Sequence, residues 1–171
     1  KRMKRWALLV LLLLVIRCSA TDDESGPSTP LYPLDEILRI NHLQAIGTHN
    51  SYHQAPEAAK FGGEWDYTMA PLDVHLNDHG VRRFELDVYE FEGQALAVLH
   101  IPVLDNQTTC RLFSECLQTI KDWSDTHPHH HPVMIMIEPK TPIGGDGESM
   151  VSLDDAILDI FPIEQIITPD E

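Results

Sequence analysis

The sequence predicts an α/β protein built on a largely parallel sheet, and three observations carry that expectation. Helix-like and strand-like segments alternate along most of the chain. The run 133-VMIMI-137 is uninterruptedly apolar, as expected of a strand covered on both faces. The stretch 109-TCRLFSECLQTIKDWSDTH-127 has apolar residues at 112, 113, 116, 117, 120 and 123, a helical stripe. With 171 residues, 43% of them hydrophobic, the chain can bury one core of ordinary size.

The elements are expected in the following order. Residues 1–20 combine a basic cluster, the apolar run 7-ALLVLLLLVI-16 and a small-x-small ending at Ala20. That pattern predicts a secretory signal peptide cleaved after Ala20, and hence a secreted protein. An uncleaved membrane anchor is the alternative, although ten apolar residues fall short of the roughly 20 that span a bilayer. Residues 21–33 are rich in Pro, Ser and Asp and read as a flexible lead-in. A short helix is expected over 34–40 and a short strand over 43–47. The segment 71-PLDVHLNDHG-80 opens with Pro and closes with Gly, the asymmetry of helix ends. Strands follow over 82–91 and 95–101, then the striped helix and the strand at 133–137. The segment 152-SLDDAILDIF-161 predicts a helix from a capping-box variant at Ser152, stopping at Pro162. A further strand could begin at 166. The histidine-rich 127-HPHHHP-132 could hold a metal, but its two prolines favour a loop.

Charge narrows the partners. The 27 acidic residues outnumber the 12 basic ones, and the formal net charge is −15. Loss of residues 1–20 removes five basic residues and no acidic one, leaving a net charge of −20. Such a surface repels nucleic acid and tolerates cations. Of three cysteines, Cys18 lies within the signal segment. Cys110 and Cys116 are a candidate disulfide in an oxidising compartment, provided a bend or a helix start separates them. Asn106 heads an N-x-T triplet, a glycosylation acceptor by pattern.

The chemistry concentrates at strand ends. In 84-FELDVY-89, strand alternation puts Phe84, Leu86 and Val88 on one face and Glu85, Asp87 and Tyr89 on the other. Two inward carboxylates repel unless a cation joins them. Glu138 ends the apolar run at 133–137, and Asn50 follows the first strand in 45-AIGTHNSYH-53. Together Asn50, Glu85, Asp87 and Glu138 offer an all-oxygen set, which suits Ca²⁺ or Mg²⁺ better than zinc. His49 and His100 stand at two strand ends beside that set, and Lys140 follows it. Two imidazoles, one as base and one as acid, next to a hard cation suit cleavage of a phosphodiester by a neighbouring hydroxyl. Lys140 could hold a phosphate oxygen as a point charge.

These motifs, 47-GTHNSYH, 83-RFELDVY, 99-LH and 133-VMIMIEPK, resemble in order and spacing the X-type catalytic region of phosphatidylinositol-specific phospholipase C. The resemblance is to its secreted, calcium-dependent branch, often labelled phospholipase C1-like. It runs from about Leu43 to Lys140. It implies a distorted TIM-type (β/α) barrel, a PLC-like phosphodiesterase whose N-terminal half would be residues 34–171. It implies His49 and His100 as the catalytic pair and Asn50, Glu85, Asp87 and Glu138 as the Ca²⁺ ligands. The implied reaction is attack of the inositol 2-hydroxyl on the phosphodiester, releasing diacylglycerol and a cyclic inositol phosphate. The expected partner is a phospholipid at a membrane surface, met by a monomer. Two alternatives remain at this point: a related barrel phosphodiesterase acting on glycerophosphodiesters or sphingomyelin with Mg²⁺, and a non-catalytic remnant that binds Ca²⁺ or lipid.

Overall fold

The structure is a computed structural model that describes residues 33–34, 37–56, 63–141 and 151–168. The expected signal peptide and all but the end of the lead-in lie outside the described residues. The chain divides into two compact units, residues 1–38 and 39–171. In the first, the Leu34 carbonyl accepts from the Ile37 and Leu38 N–H groups at 2.9 and 2.8 Å, a single turn where a helix over 34–40 was expected. Everything below concerns the second unit. Among the described residues no helix is long and apolar enough to cross a membrane.

The second unit opens with a 3-10 turn, Ile40–His42. It holds strands β1 (Ile46–Gly47), β2 (Val81–Tyr89), β3 (Ala97–Val98) and β4 (Met134–Pro139). Helices α1 (Leu72–Asn77), α2 (Phe113–Thr126) and α3 (Val151–Leu158) alternate with them. β2 is the hub. It pairs in parallel with β4 from Arg83↔Met134 to Val88↔Pro139. It pairs in parallel with β1 at Val81 and Arg83, and antiparallel with β3 at Val88 and Tyr89. Because Arg83 and Val88 each also pair with β4, β1 and β3 must share the opposite edge of β2. The sheet is thus largely parallel. The antiparallel strand is β3, which follows β2 through a tight turn at Gly93 (φ 70°) with no helix to reverse the chain.

The helices cover one face. Phe84, Leu86 and Val88 point into a core with Phe113, Cys116, Leu117 and Ile120 of α2, Leu72 and Leu76 of α1, and Leu153 of α3. The stripe read along 109–127 is the buried face of α2: Phe113, Cys116, Leu117, Ile120 and Trp123. Glu115 reaches back to accept the Leu112 N–H at 3.0 Å and caps that helix. Cys110 and Cys116 form a disulfide across the helix start, with Cα atoms 5.3 Å apart. Arg82 lies over Trp123, its guanidinium carbon 4.5 Å from the ring centroid. His127 stacks on the same indole at 4.5 Å, and Ser124 Oγ meets His130 Nε2 at 2.7 Å. The histidine-rich segment is therefore a loop pinned to the end of α2.

Strands β1 and β3 fall short of the expected 43–47 and 95–101, and three further expectations change. β4 is not covered on both faces: Met134 and Met136 are 56% and 39% exposed, while Ile135 and Ile137 are half-buried. Its open side stands in register with Arg83 and Glu85 on the face away from the helices, where Arg83 Nη2 meets Met136 Sδ at 3.2 Å. The strand buried on both faces is β2. Second, α3 begins at Val151, so Ser152 lies inside the helix rather than capping it. Third, a 3-10 turn, Ile163–Gln165, stands before 166, and residues 166–168 form no strand.

Phe84 is fully buried between the sheet and helices. Phe84→Ala should destabilise the protein by about 3–5 kcal/mol in urea unfolding. A loss under about 1 kcal/mol would mean that this face is not the core. His75, buried in α1 with Nδ1 3.3 Å from His79 Nδ1, is held below the usual histidine range by burial and then by His79. The unfolded chain binds that proton more readily, so stability should fall as pH drops through the ordinary histidine range of about 6.5. His75→Gln should flatten the dependence of melting temperature on pH, and an unchanged slope would count against this origin.

Candidate active site

The site forms along one edge and one face of β2. The carbonyls of Arg83, Glu85 and Asp87 point to the edge shared by β1 and β3. They accept N–H groups from Thr48 (3.0 Å), Ser51 (3.1 Å) and Leu99 (3.3 Å). Two segments distant in sequence, 48–51 and the residues after β3, are thereby laid against the same strand. Gly47 permits this approach, because a Cβ there would lie 3.1 Å from Arg83 Cβ. Ser51 locks the register a second time, its Oγ accepting the Glu85 N–H at 2.9 Å and meeting Thr48 Oγ1 at 2.7 Å.

The face away from the helices carries the acids. Glu85 and Asp87 are 3% and 1% exposed, so they are buried rather than solvated. Oxygens of Glu85, Asp87 and Glu138 lie within 4.8 Å of one another, the three brought together by the β2–β4 register that pairs Asp87 with Glu138. Asn50 joins from the loop after β1. Its backbone N–H donates to Glu85 Oε2 at 2.9 Å, and its side-chain amide donates to Tyr67 Oη at 3.1 Å. Its Oδ1 lies 3.4 Å from the Tyr52 hydroxyl. Asn50 adopts φ 48°, which an asparagine tolerates better than most residues.

Lys140 sits across the cluster, Nζ 2.7 Å from Glu138 Oε1 and 3.2 Å from Asp87 Oδ2. Both Asp87 oxygens are buried without a directed donor among the described residues. Burial pushes Asp87 above the usual carboxylate range, against the pull of Tyr52 and Lys140. The hydrogen bond from Lys140 holds Glu138 below it. Burial alone would lower Lys140, but Glu138 and Asp87 outweigh it and raise the ammonium. Burial and then the charge of Asp87 keep the Tyr52 hydroxyl protonated far above the usual phenol range. Three carboxylates, buried orphan oxygens and no nitrogen or sulfur donor fit a hard cation such as Ca²⁺.

One expected histidine borders the cluster, and the other follows β3, whose Leu99 N–H is held by the Asp87 carbonyl. His49 is exposed, with Nε2 3.3 Å from Glu85 Oε2. His100 follows β3, its side chain 20% exposed. Sequence reading missed what lies behind it. His100 Nδ1 is 2.7 Å from Asp105 Oδ2, and His53 Nε2 is 2.9 Å from both Asp105 oxygens. His53 and Asp105 are fully buried. The ring of Tyr67 stacks on His53 at 4.2 Å, and Trp65 meets His100 edge-on at 5.9 Å. Among the described residues this trio and the carboxylate trio are the two groups able to converge on an ion. The Asn106 side chain, half-buried, accepts from Gln107 at 3.1 Å.

No curated protein matches the chain. A solved structure of a calcium-dependent phosphoinositol-specific phospholipase C from Pseudomonas sp., studied in apo form and with myoinositol, is similar at a TM-score of 0.52. The two share 21% identity over 69% of this chain and 42% of that one, a likeness of fold. This chain thus spans less than half the length of that relative. The family described as phosphoinositide phospholipase C, Ca²⁺-dependent, matches over residues 38–93 and 90–171. Those stretches include the sheet, the acidic cluster and both histidines, and the chain belongs to that Ca²⁺-dependent phosphoinositide phospholipase C family.

Proposed function

We propose that the protein is a secreted, Ca²⁺-dependent phosphodiesterase that cleaves phosphatidylinositol at a membrane surface, with its sheet forming the N-terminal part of a TIM-type barrel. The observation that carries this reading is the convergence of Glu85, Asp87 and Glu138 within 4.8 Å, beside His49 and on the edge that also holds His100. Asn50, Glu85, Asp87 and Glu138 would hold the ion. When bound, Ca²⁺ would lower the pKa of the attacking inositol hydroxyl and offset charge on the phosphorane.

The chain's own groups supply the rest. His49, exposed at the rim, takes the hydroxyl proton. His100 protonates the leaving glycerol oxygen, so that diacylglycerol departs neutral and a cyclic inositol phosphate remains. Lys140, held by Glu138 and Asp87, would turn to a substrate phosphate once a cation takes over those carboxylates. The second unit buries its acids on one side of the sheet and its apolar residues on the other, so the charged substrate and the hydrophobic core never compete for one face.

Three tests follow from this reading. Release of water-soluble inositol phosphate from phosphatidylinositol vesicles should cease in EGTA and return with Ca²⁺. Glu85→Gln and Asp87→Asn should weaken calorimetric Ca²⁺ binding by more than the roughly 10–100-fold expected of a residue that only supports a ligand. Full turnover in EGTA would remove the metal from the reaction, and Ca²⁺ binding without turnover of any headgroup would leave a non-catalytic binding protein. His49→Ala and His100→Ala should each lower the rate by about 10²–10⁴-fold while Ca²⁺ binding persists. Retention of the wild-type rate by either variant would exclude that histidine.

A further inference from the structure

We infer that Asp105, backed by His53, fixes the tautomer of His100 and so decides which of its ring nitrogens serves the site. Every polar contact in this buried unit needs one proton, and the partners say where each lies. His53 Nδ1 faces the Tyr67 carbonyl at 3.0 Å, an acceptor only, so Nδ1 must donate. His53 Nε2 faces both oxygens of Asp105 at 2.9 Å. His100 Nδ1 stands 2.7 Å from Asp105 Oδ2. A carboxylate is ordinarily a weaker base than an imidazole, so both of these protons stay on nitrogen. His53, donating from Nδ1 to the Tyr67 carbonyl and from Nε2 to Asp105, carries both ring protons and is an imidazolium balanced by the Asp105 carboxylate, which accepts from two imidazoles at once. His100 is committed to the Nδ1–H form, and its Nε2 is the nitrogen left to act.

Burial agrees with that division. His53 and Asp105 have fully buried side chains, whereas the His100 side chain is 20% exposed, so His100 is the member of the trio that reaches the surface. The chain accepts strain to build the unit. Ile101 and Asp105 exchange backbone hydrogen bonds of 2.8 and 3.0 Å, and the Leu104 N–H donates to Pro102 at 2.8 Å. That closes a γ-turn about Val103, whose φ of 71° is unfavourable for a β-branched residue. The turn folds Asp105 back onto His100, five residues earlier. On the other side, residues 52–54 are tied down by Thr109 N–H to Tyr52 O at 2.8 Å and Gln54 N–H to Gln107 O at 3.2 Å. Both ends of the relay are thus clamped by the main chain.

Asp105 touches no substrate in this scheme and is a positioning residue. With Nδ1–H tied to Asp105, protonation of Nε2 completes an imidazolium beside a carboxylate. Transfer to the leaving oxygen breaks the Nε2–H bond, forms an O–H bond and returns His100 to the same neutral tautomer. That catalytic consequence rests on the proposed reaction, and the tautomer itself does not.

The test reads both. In the ¹⁵N-labelled wild-type protein, at a pH where His100 is neutral, long-range ¹H–¹⁵N spectra should show His100 as Nδ1–H with a bare Nε2 and His53 with both ring nitrogens protonated. A neutral Nε2–H form would overturn the inference without any variant. In Asp105→Asn, His100 should lose its single tautomer, and kcat should drop by about 10²–10⁴-fold with KM and Ca²⁺ affinity nearly unchanged. A folded variant with the His100 tautomer and kcat intact would also overturn it. Should that variant lose its native circular dichroism, the wild-type spectrum decides. If the protein turns over no phosphoinositide, the spectrum still stands, and the failure counts against the proposed reaction alone.

Discussion

The register of β2 is the constraint on which everything else rests. Its side chains alternate, so Phe84, Leu86 and Val88 enter the helix-covered core and Glu85 and Asp87 take the other face. A slip of one residue would exchange the two sets and drive two carboxylates into the core. Burying each of the apolar side chains is worth about 1.5–3 kcal/mol, and an unpaired buried ion costs several kcal/mol. The core therefore places the acids, although it touches none of them. The backbone of the same strand does the remaining assembly, since its alternate carbonyls hold the 48–51 loop and the chain after β3. Both histidines are brought to one edge by the peptide hydrogen bonds of their neighbours Thr48, Ser51 and Leu99.

The site itself opposes folding. Two buried carboxylates and a third beside them face one ammonium and an exposed imidazole. Asp87 is the extreme case, with both oxygens buried and neither given a directed donor among the described residues. Such a group persists because the surrounding sheet holds it in place, a common pattern where a sequence departs from local consistency for the sake of chemistry. Lys140 softens the repulsion. Its two contacts raise its own affinity for a proton and lower that of Glu138, so both groups stay charged.

Much of this could be read from the letters, and the reasons are physical. Strand alternation identified Glu85 and Asp87 as a pair, and the strand ends supplied Asn50, His49, His100 and Glu138, because both rules act over a few residues. The helical stripe of α2 was legible for the same reason. The covering of β4 was not: methionine serves equally on a closed or an open face, and the run VMIMI reads alike in both. The short β1 and β3 came out shorter than their apolar runs, since pairing with β2 decides where a strand ends. The Asp105–His53 pair was beyond reach. Its members are 52 residues apart, and they meet only because a strained turn and a main-chain bridge fold two loops together. His53 was visible as an oddity without a role, and only three-dimensional contact supplies its partner.

Asn50 carries two demands at one position. Its backbone sits at φ 48°, where glycine, asparagine and aspartate are at ease and longer or branched residues are not. As the proposed fourth ligand it would also need a side chain that ends in a carbonyl or carboxylate. Glycine meets the first demand only, and glutamine or glutamate the second only. The freedom of that codon to drift therefore collapses to asparagine and aspartate, and the two differ by one unit of charge in a cluster already rich in it. A lineage changing Asn50 would alter the electrostatics of the pocket before it altered its shape.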